Sequence, residues 1–165
     1  GIAASSGAPG RLERVERSDG SGPLVLVDYA HSPDAIEEVV RSLLPLVEGR
    51  LITLFGCGGD RDAGKRPLMA RAAAHAHQVV LTSDNPRSED PEQILDDAEE
   101  GLRGGSTPYR RIADRAAAIR EAIAGATAGD VVLLAGKGHE SYQELATGRI
   151  EFDDRVEAFA ALEAM

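Results

Sequence analysis

Asp130-Val131-Val132-Leu133-Leu134 leads through Ala135 into Gly136-Lys137-Gly138-His139-Glu140. Val131 to Leu134 is an unbroken aliphatic run of strand length, the pattern of a strand buried on both faces. The glycine-rich pentapeptide behind it reads as a turn that carries a lysine, a histidine and a glutamate. Outward from this stretch the same pattern recurs. Leu24–Val27, Leu51–Phe55 and Val79–Leu81 are also short apolar runs, and each is followed by a polar or glycine-rich segment.

Helical patterns separate the runs. Pro33 and Asp34 open one in which Ile36, Val39, Val40, Leu43 and Leu44 share a face, and Gly49 closes it. Pro67–His77 is alanine-rich and helical. Asp90 and Pro91 head a helix over Glu92–Leu102. Asp114 caps another through Ala124, and a last helix starts near Asp154. Arg11–Arg17 and Tyr109–Ile112 read as lesser strands, and Thr147-Gly148 as the tip of a hairpin. Strands alternating with helices imply right-handed crossovers and a mostly parallel α/β sheet. In such sheets ligands bind beyond the carboxyl ends of the strands. Four segments, Asp28–Pro33, Gly56–Lys65, Asp84–Arg87 and Gly136–Glu140, are therefore expected on one rim.

Composition narrows the function. With 18 Lys+Arg against 28 Asp+Glu the net charge is −10, which argues against a nucleic-acid partner. A single cysteine, Cys57, excludes an internal disulfide framework and a multi-cysteine zinc site. No apolar run is long enough to span a membrane, and Gly1–Gly10 lacks the features of a signal peptide. A cytoplasmic, reducing setting is expected, with residues 1–10 a linker or cut edge and residues 11–165 the domain.

Each rim segment has a bland and a chemical reading. Gly59-x4-Gly64-Lys65 approaches a phosphate-binding loop, but Arg66 stands where the magnesium-binding hydroxyl is required. Gly56-x-Gly58 opens a dinucleotide fingerprint, but Arg61 replaces its third glycine. Both motifs are rejected. Asp84-Asn85-Pro86 is a good turn. Behind it, Arg87 reads equally as a solvated charge or as a fork for a carboxylate, with Arg61 as a second cation. Glu140 suits an ammonium group. His139 reads as a base or, more simply, as structural, and His31 as a nucleotide contact or as packing. His75 and His77 are two residues apart on a helix and make a poor metal pair.

Taken in order, Asp28-Tyr29-Ala30-His31-Ser32-Pro33, Phe55-Gly56-Cys57-Gly58-Gly59-Asp60-Arg61-Asp62, Asp84-Asn85-Pro86-Arg87 and Gly136-Lys137-Gly138-His139-Glu140 resemble the C-terminal domain of the Mur ligase family. The resemblance runs from about Pro9 to the end and is greatest to the family's diaminopimelate-adding branch. It implies a Rossmann-like three-layer sandwich. It also implies an N-terminal domain for a UDP-sugar and a central domain for ATP, both outside this chain.

The resemblance assigns roles by position. Arg61, Asp84, Asn85, Pro86, Arg87, Gly136 and Glu140 match contacts to meso-diaminopimelate. Arg11, Asp28 and His31 match positions near ATP when the domains close. No catalytic residue and no metal ligand is implied within the chain. ATP and Mg2+ are implied for the whole enzyme, which joins meso-diaminopimelate to UDP-MurNAc-L-Ala-D-Glu in peptidoglycan synthesis. The chain alone is expected to be inactive. Two alternatives stay open: a cyanophycin-synthetase-like ligase domain, against which Asp84–Arg87 argues, and a non-catalytic amino-acid-binding module.

Overall fold

The computed structural model describes residues 8–165. The expected linker lies largely outside them; Ala8–Gly10 form a turn in which the Gly10 amide donates to Glu13. A six-stranded sheet holds β1 (Glu13–Val15), β2 (Leu24–Asp28), β3 (Leu51–Phe55), β4 (Gln78–Leu81), β5 (Tyr109–Arg111) and β6 (Val131–Ala135). Its order is β1-β2-β6-β3-β4-β5. Only the edge strand β1 is antiparallel; the β2–β6, β6–β3, β3–β4 and β4–β5 pairs are parallel.

Alternation along the strands divides the core. Leu133 and Ala135 of β6 join Leu51 and Phe55 of β3 on one face, while Val132 and Leu134 join Ile52 and Leu54 on the other. The first face packs against α1 (Pro33–Leu43), α2 (Arg66–Ala73) and α3 (Pro91–Glu99). The second packs against α4 (Arg115–Ala124) and α5 (Asp154–Glu163). Two helix layers around one sheet make the expected α/β sandwich. The β6 side chains are 0–4% exposed. Truncating a leucine there would cost about 2–5 kcal/mol, so β6 anchors the fold.

Helix starts follow the sequence. Ser32 accepts from the Ala35 amide, Asp90 from Glu92, Asp114 from Ala117 and Asp153 from Arg155. Some ends differ. The first helix stops at Leu43, and Pro45 turns the chain into one tight 3-10 turn, Leu44–Leu46, short of Gly49. The second ends at Ala73 rather than His77, and the third at Glu99 rather than Leu102. His77 instead accepts the Leu51 amide through Nδ1 at 2.8 Å, and His75 lies against Glu37 and Arg41. The hairpin is real: β7 (Tyr142–Leu145) and β8 (Gly148–Glu151) form a separate two-stranded sheet. No helix among the described residues is long and apolar enough to cross a membrane.

Candidate functional site

Parallel strands end together, so the segments following β2, β3, β4 and β6 meet. They line one cavity of about 450 Å3 that holds Arg61, Asp84, Asn85, Arg87, Gly136 and Glu140, with His31 at its edge. That volume suits a small molecule. Glycine permits the close approach. A Cβ on Gly59 would lie 1.9 Å from the Pro86 carbonyl, and the Gly59 amide donates to Asn85 O at 2.8 Å. Gly136 turns the chain at φ 116°, where its absent Cβ leaves room for the Asp84 carboxylate.

The turn after β4 is buried and braced. Asp84 and Asn85 are 8% and 4% exposed. Arg87 occupies the left-handed region at φ 53°, a conformation that a bulky residue adopts only where its surroundings hold it. Its Nε donates to Glu144 Oε2 at 2.8 Å and its Nη1 to Gly59 O at 2.9 Å. Arg87 is thus aimed and not a freely solvated charge, and a carboxylate of this chain already meets one edge of its fork. Nη2 makes no hydrogen bond among the described residues. Arg61 is exposed, and its Nη1 donates to Asp60 O at 3.0 Å.

Lys137 is the residue that the sequence reading left out. Its side chain is fully buried, and Nζ lies 2.9 Å from Asn85 Oδ1, 3.3 Å from Glu140 Oε2 and 3.4 Å from Asp84 Oδ1. Asn85 Nδ2 also approaches Glu140 Oε2, at 3.4 Å. One ammonium therefore gathers the two acids and the amide while cancelling one of the two negative charges. The remaining charge suits a ligand ammonium. Lys137 stands between glycines directly after a strand buried along its whole length, and that is the signal that could have found it.

Three further residues missed from sequence support the loops. Arg115 Nη1 donates to Ser83 O at 3.1 Å and Nη2 to Ala135 O at 3.2 Å. It closes the ends of β4 and β6 from below. Gln143 and Glu144 of β7 reach the β4 turn from the side.

Arg11, Asp28 and His31 gather around a second, adjoining cavity of about 450 Å3. Asp28 is 8% exposed; its Oδ2 accepts from the Leu12 amide and its Oδ1 from Ala30, so its carboxylate shapes this corner. His31 Nδ1 lies 2.7 Å from Tyr29 O, leaving Nε2 as the ring's remaining polar atom. Pro86 is buried and stiffens the turn instead of lining the cavity. His139 is absent from the lining of both cavities and packs its backbone against Gly10. Cys57 lines the cavity beside Met69, and burial first of all, with the Asp84 charge adding to it, pushes its thiol up to about 12, so it is a poor nucleophile. No group of three or more His, Cys, Asp or Glu among the described residues is arranged to hold a metal.

A mostly parallel sheet whose strand-end cavity brings acids and arginines together defines an α/β domain. The family model described as "Mur ligase, glutamate ligase domain" matches residues 10–138, and the chain belongs to the Mur ligase family. It is 57% identical over 157 residues to a UDP-N-acetylmuramoyl-L-alanyl-D-glutamate–2,6-diaminopimelate ligase of Synechococcus elongatus, over 94% of this chain and 31% of that protein. A relative of the same name from Gloeobacter violaceus is 52% identical, over 98% of this chain and 33% of its own length. A solved structure of a ligase of that name superposes with TM-score 0.85 at 50% identity, over 96% of this chain and 32% of the other. A murein peptide ligase from Psychrobacter arcticus, at 18% identity and TM-score 0.67, shares the fold. The chain spans about a third of the length of these relatives.

Proposed function

We propose that this chain is the amino-acid-binding C-terminal domain, residues 11–165, of a cytoplasmic ATP-dependent ligase that adds meso-diaminopimelate to UDP-MurNAc-L-Ala-D-Glu in peptidoglycan synthesis. The observation that carries this reading is the single cavity in which Arg61 and Arg87 meet Asp84, Asn85 and Glu140. Diaminopimelate is a diamino dicarboxylate and needs both kinds of partner. The guanidiniums take a carboxylate, and the Asp84–Glu140 pair, half neutralised by Lys137, takes an ammonium. Lysine lacks the second carboxylate.

In the reaction, ATP phosphorylates the glutamyl carboxylate. The amine of the amino acid attacks the acyl carbon, a C–N bond forms, the C–O bond to phosphate breaks and the amine loses a proton. This domain's part is to hold the amine in line and to exclude water. Arg11, Asp28 and His31 face the nucleotide once the N-terminal and central domains close on it. ATP and magnesium belong to the whole enzyme. The described residues offer no cluster that fits the ion, so no step here runs through it. The 165-residue chain alone turns over no ATP.

Calorimetric titration of the full-length ligase tests the reading, with UDP-linked dipeptide and a non-hydrolysable ATP analogue present. Saturable heat is expected with meso-diaminopimelate and none with lysine at the same concentrations. Equal binding of both, or of neither, would contradict it.

A further inference from the structure

The β7–β8 hairpin grips the Asp84–Arg87 turn at four points. Gln143 Nε2 donates to Asp84 O at 2.7 Å, and the Glu144 amide donates to Asn85 Oδ1 at 3.0 Å. The Arg87 amide donates to Glu144 O at 3.0 Å, and Arg87 Nε to Glu144 Oε2 at 2.8 Å. Three of the four involve Glu144. Its other oxygen, Oε1, is held by Arg149 of β8 at 2.8 Å, and Arg149 lies over the Tyr142 ring at 4.1 Å. The Glu144 carboxyl is kept below its ordinary range, chiefly by Arg149 and also by Arg87, against the opposing effect of burial. Arg87 itself has the left-handed backbone described above, a conformation that needs an outside hold.

We infer that Glu144 is a positioning residue that sets the choice of amino acid through Arg87, and that the β7–β8 hairpin is a specificity element of the site. The inference rests on the proposed reading of Arg87 as the carboxylate reader. Glu144 takes Nε and Gly59 O takes one Nη1 hydrogen, so Nη2 and the rest of Nη1 are left for the ligand. A guanidinium anchored at two points presents a fixed edge to a carboxylate. With Glu144 gone, it keeps one side-chain anchor and swings. Arg149 and Tyr142 keep the Glu144 carboxylate from following Arg87 into the cavity.

The test is kcat/KM for meso-diaminopimelate and for lysine in the full-length ligase, for wild type, Arg87→Ala, Glu144→Ala, Glu144→Gln and the Arg87→Ala/Glu144→Ala double variant. Glu144→Ala is expected to lower diaminopimelate use roughly ten- to hundredfold through KM, the size of a lost charged hydrogen bond, with kcat and lysine use unchanged. The double variant should be no worse than Arg87→Ala alone, because Glu144 acts through Arg87. Glu144→Gln keeps the shape and one acceptor; it should fall in between, and it decides the matter if the alanine variant fails to fold. Additive losses, an equal loss for both amino acids, or tighter diaminopimelate binding without Glu144 would each overturn the inference. If Arg87→Ala is itself unselective, the reading of Arg87 falls first. If Arg87→Ala is selective and the Glu144 variants are not, only the inference falls.

Discussion

Arg115 and Asp154 form a two-point ion pair, 2.8 Å from Nε to Oδ1 and 2.7 Å from Nη2 to Oδ2, with both side chains at 0% exposure. Burial alone would pull the guanidinium down; the facing Asp154 charge outweighs it and holds it above its ordinary value. The pair joins the starts of α4 and α5, and through Ser83 O and Ala135 O it supports both rim loops.

Removing one partner strands the other charge without solvent. Arg115→Ala is therefore expected to cost about 3–5 kcal/mol of stability. Arg115→Lys should recover only a part, since an ammonium cannot span two carbonyls and a carboxylate together. Urea unfolding of the chain measures both. A loss under about 1 kcal/mol for the alanine variant would mean that the pair is not the support described, since surface pairs are worth no more than that.

Asp130 ties the start of β6 to the loop before it. It accepts from the Arg50 amide and guanidinium and from the Thr127 amide. Burial opposes its charge, but these bonds prevail and bring its carboxyl down from 3.8 to about 2. A depressed carboxylate contributes stability that is complete above its unfolded value and is lost as pH falls through the folded one. The contribution is about 2 kcal/mol by the usual conversion, present above about pH 4 and gone below about pH 2. Asp130→Asn should lower neutral-pH stability by about that much. It should also flatten the acid limb of a stability-against-pH curve. An unchanged acid limb would place the titrating group elsewhere.

Glu140 shares Lys137 with Asp84 and is expected to hold an ammonium of the amino acid, not to move a proton. Glu140→Gln preserves shape and removes charge. Affinity for diaminopimelate should drop roughly ten- to hundredfold, the worth of a charged hydrogen bond, while kcat holds. Steady-state kinetics separates the cases: turnover lost at intact affinity would assign proton transfer to Glu140.

The sheet was legible because burial on both faces leaves a local trace. Val131–Leu134 and Val79–Leu81 are apolar whichever way each side chain points, as is Leu51–Phe55 apart from Thr53, so a short window suffices. Caps such as Asp114 are local in the same sense. Helix ends were less legible, because Pro45 and the packing of His75 and His77 decided them. At the rim, loop position followed from the parallel sense of the strands, which is why Arg61, Asp84, Asn85, Arg87, Gly136 and Glu140 were found to share one cavity. What escaped was long-range. Lys137 reads as an exposed charge until Asp84 and Asn85 are seen folded onto it from more than fifty residues away. The hold of Glu144 on Arg87 crosses a similar separation, and no local pattern marks it.

The central claim is that Arg87 reads a carboxylate that diaminopimelate has and lysine lacks. The direct measurement is the ratio of kcat/KM for the two amino acids in the full-length ligase, wild type against Arg87→Ala. A site built around an aimed guanidinium rejects the analogue lacking its partner by up to about 10⁴–10⁵. Arg87→Ala should therefore collapse the ratio by lowering diaminopimelate use while leaving lysine use nearly unchanged. Arg87→Lys should restore little, for want of a planar fork. An equal loss for both amino acids, with the ratio preserved, would make Arg87 a support for the fold or for closure and would contradict the account.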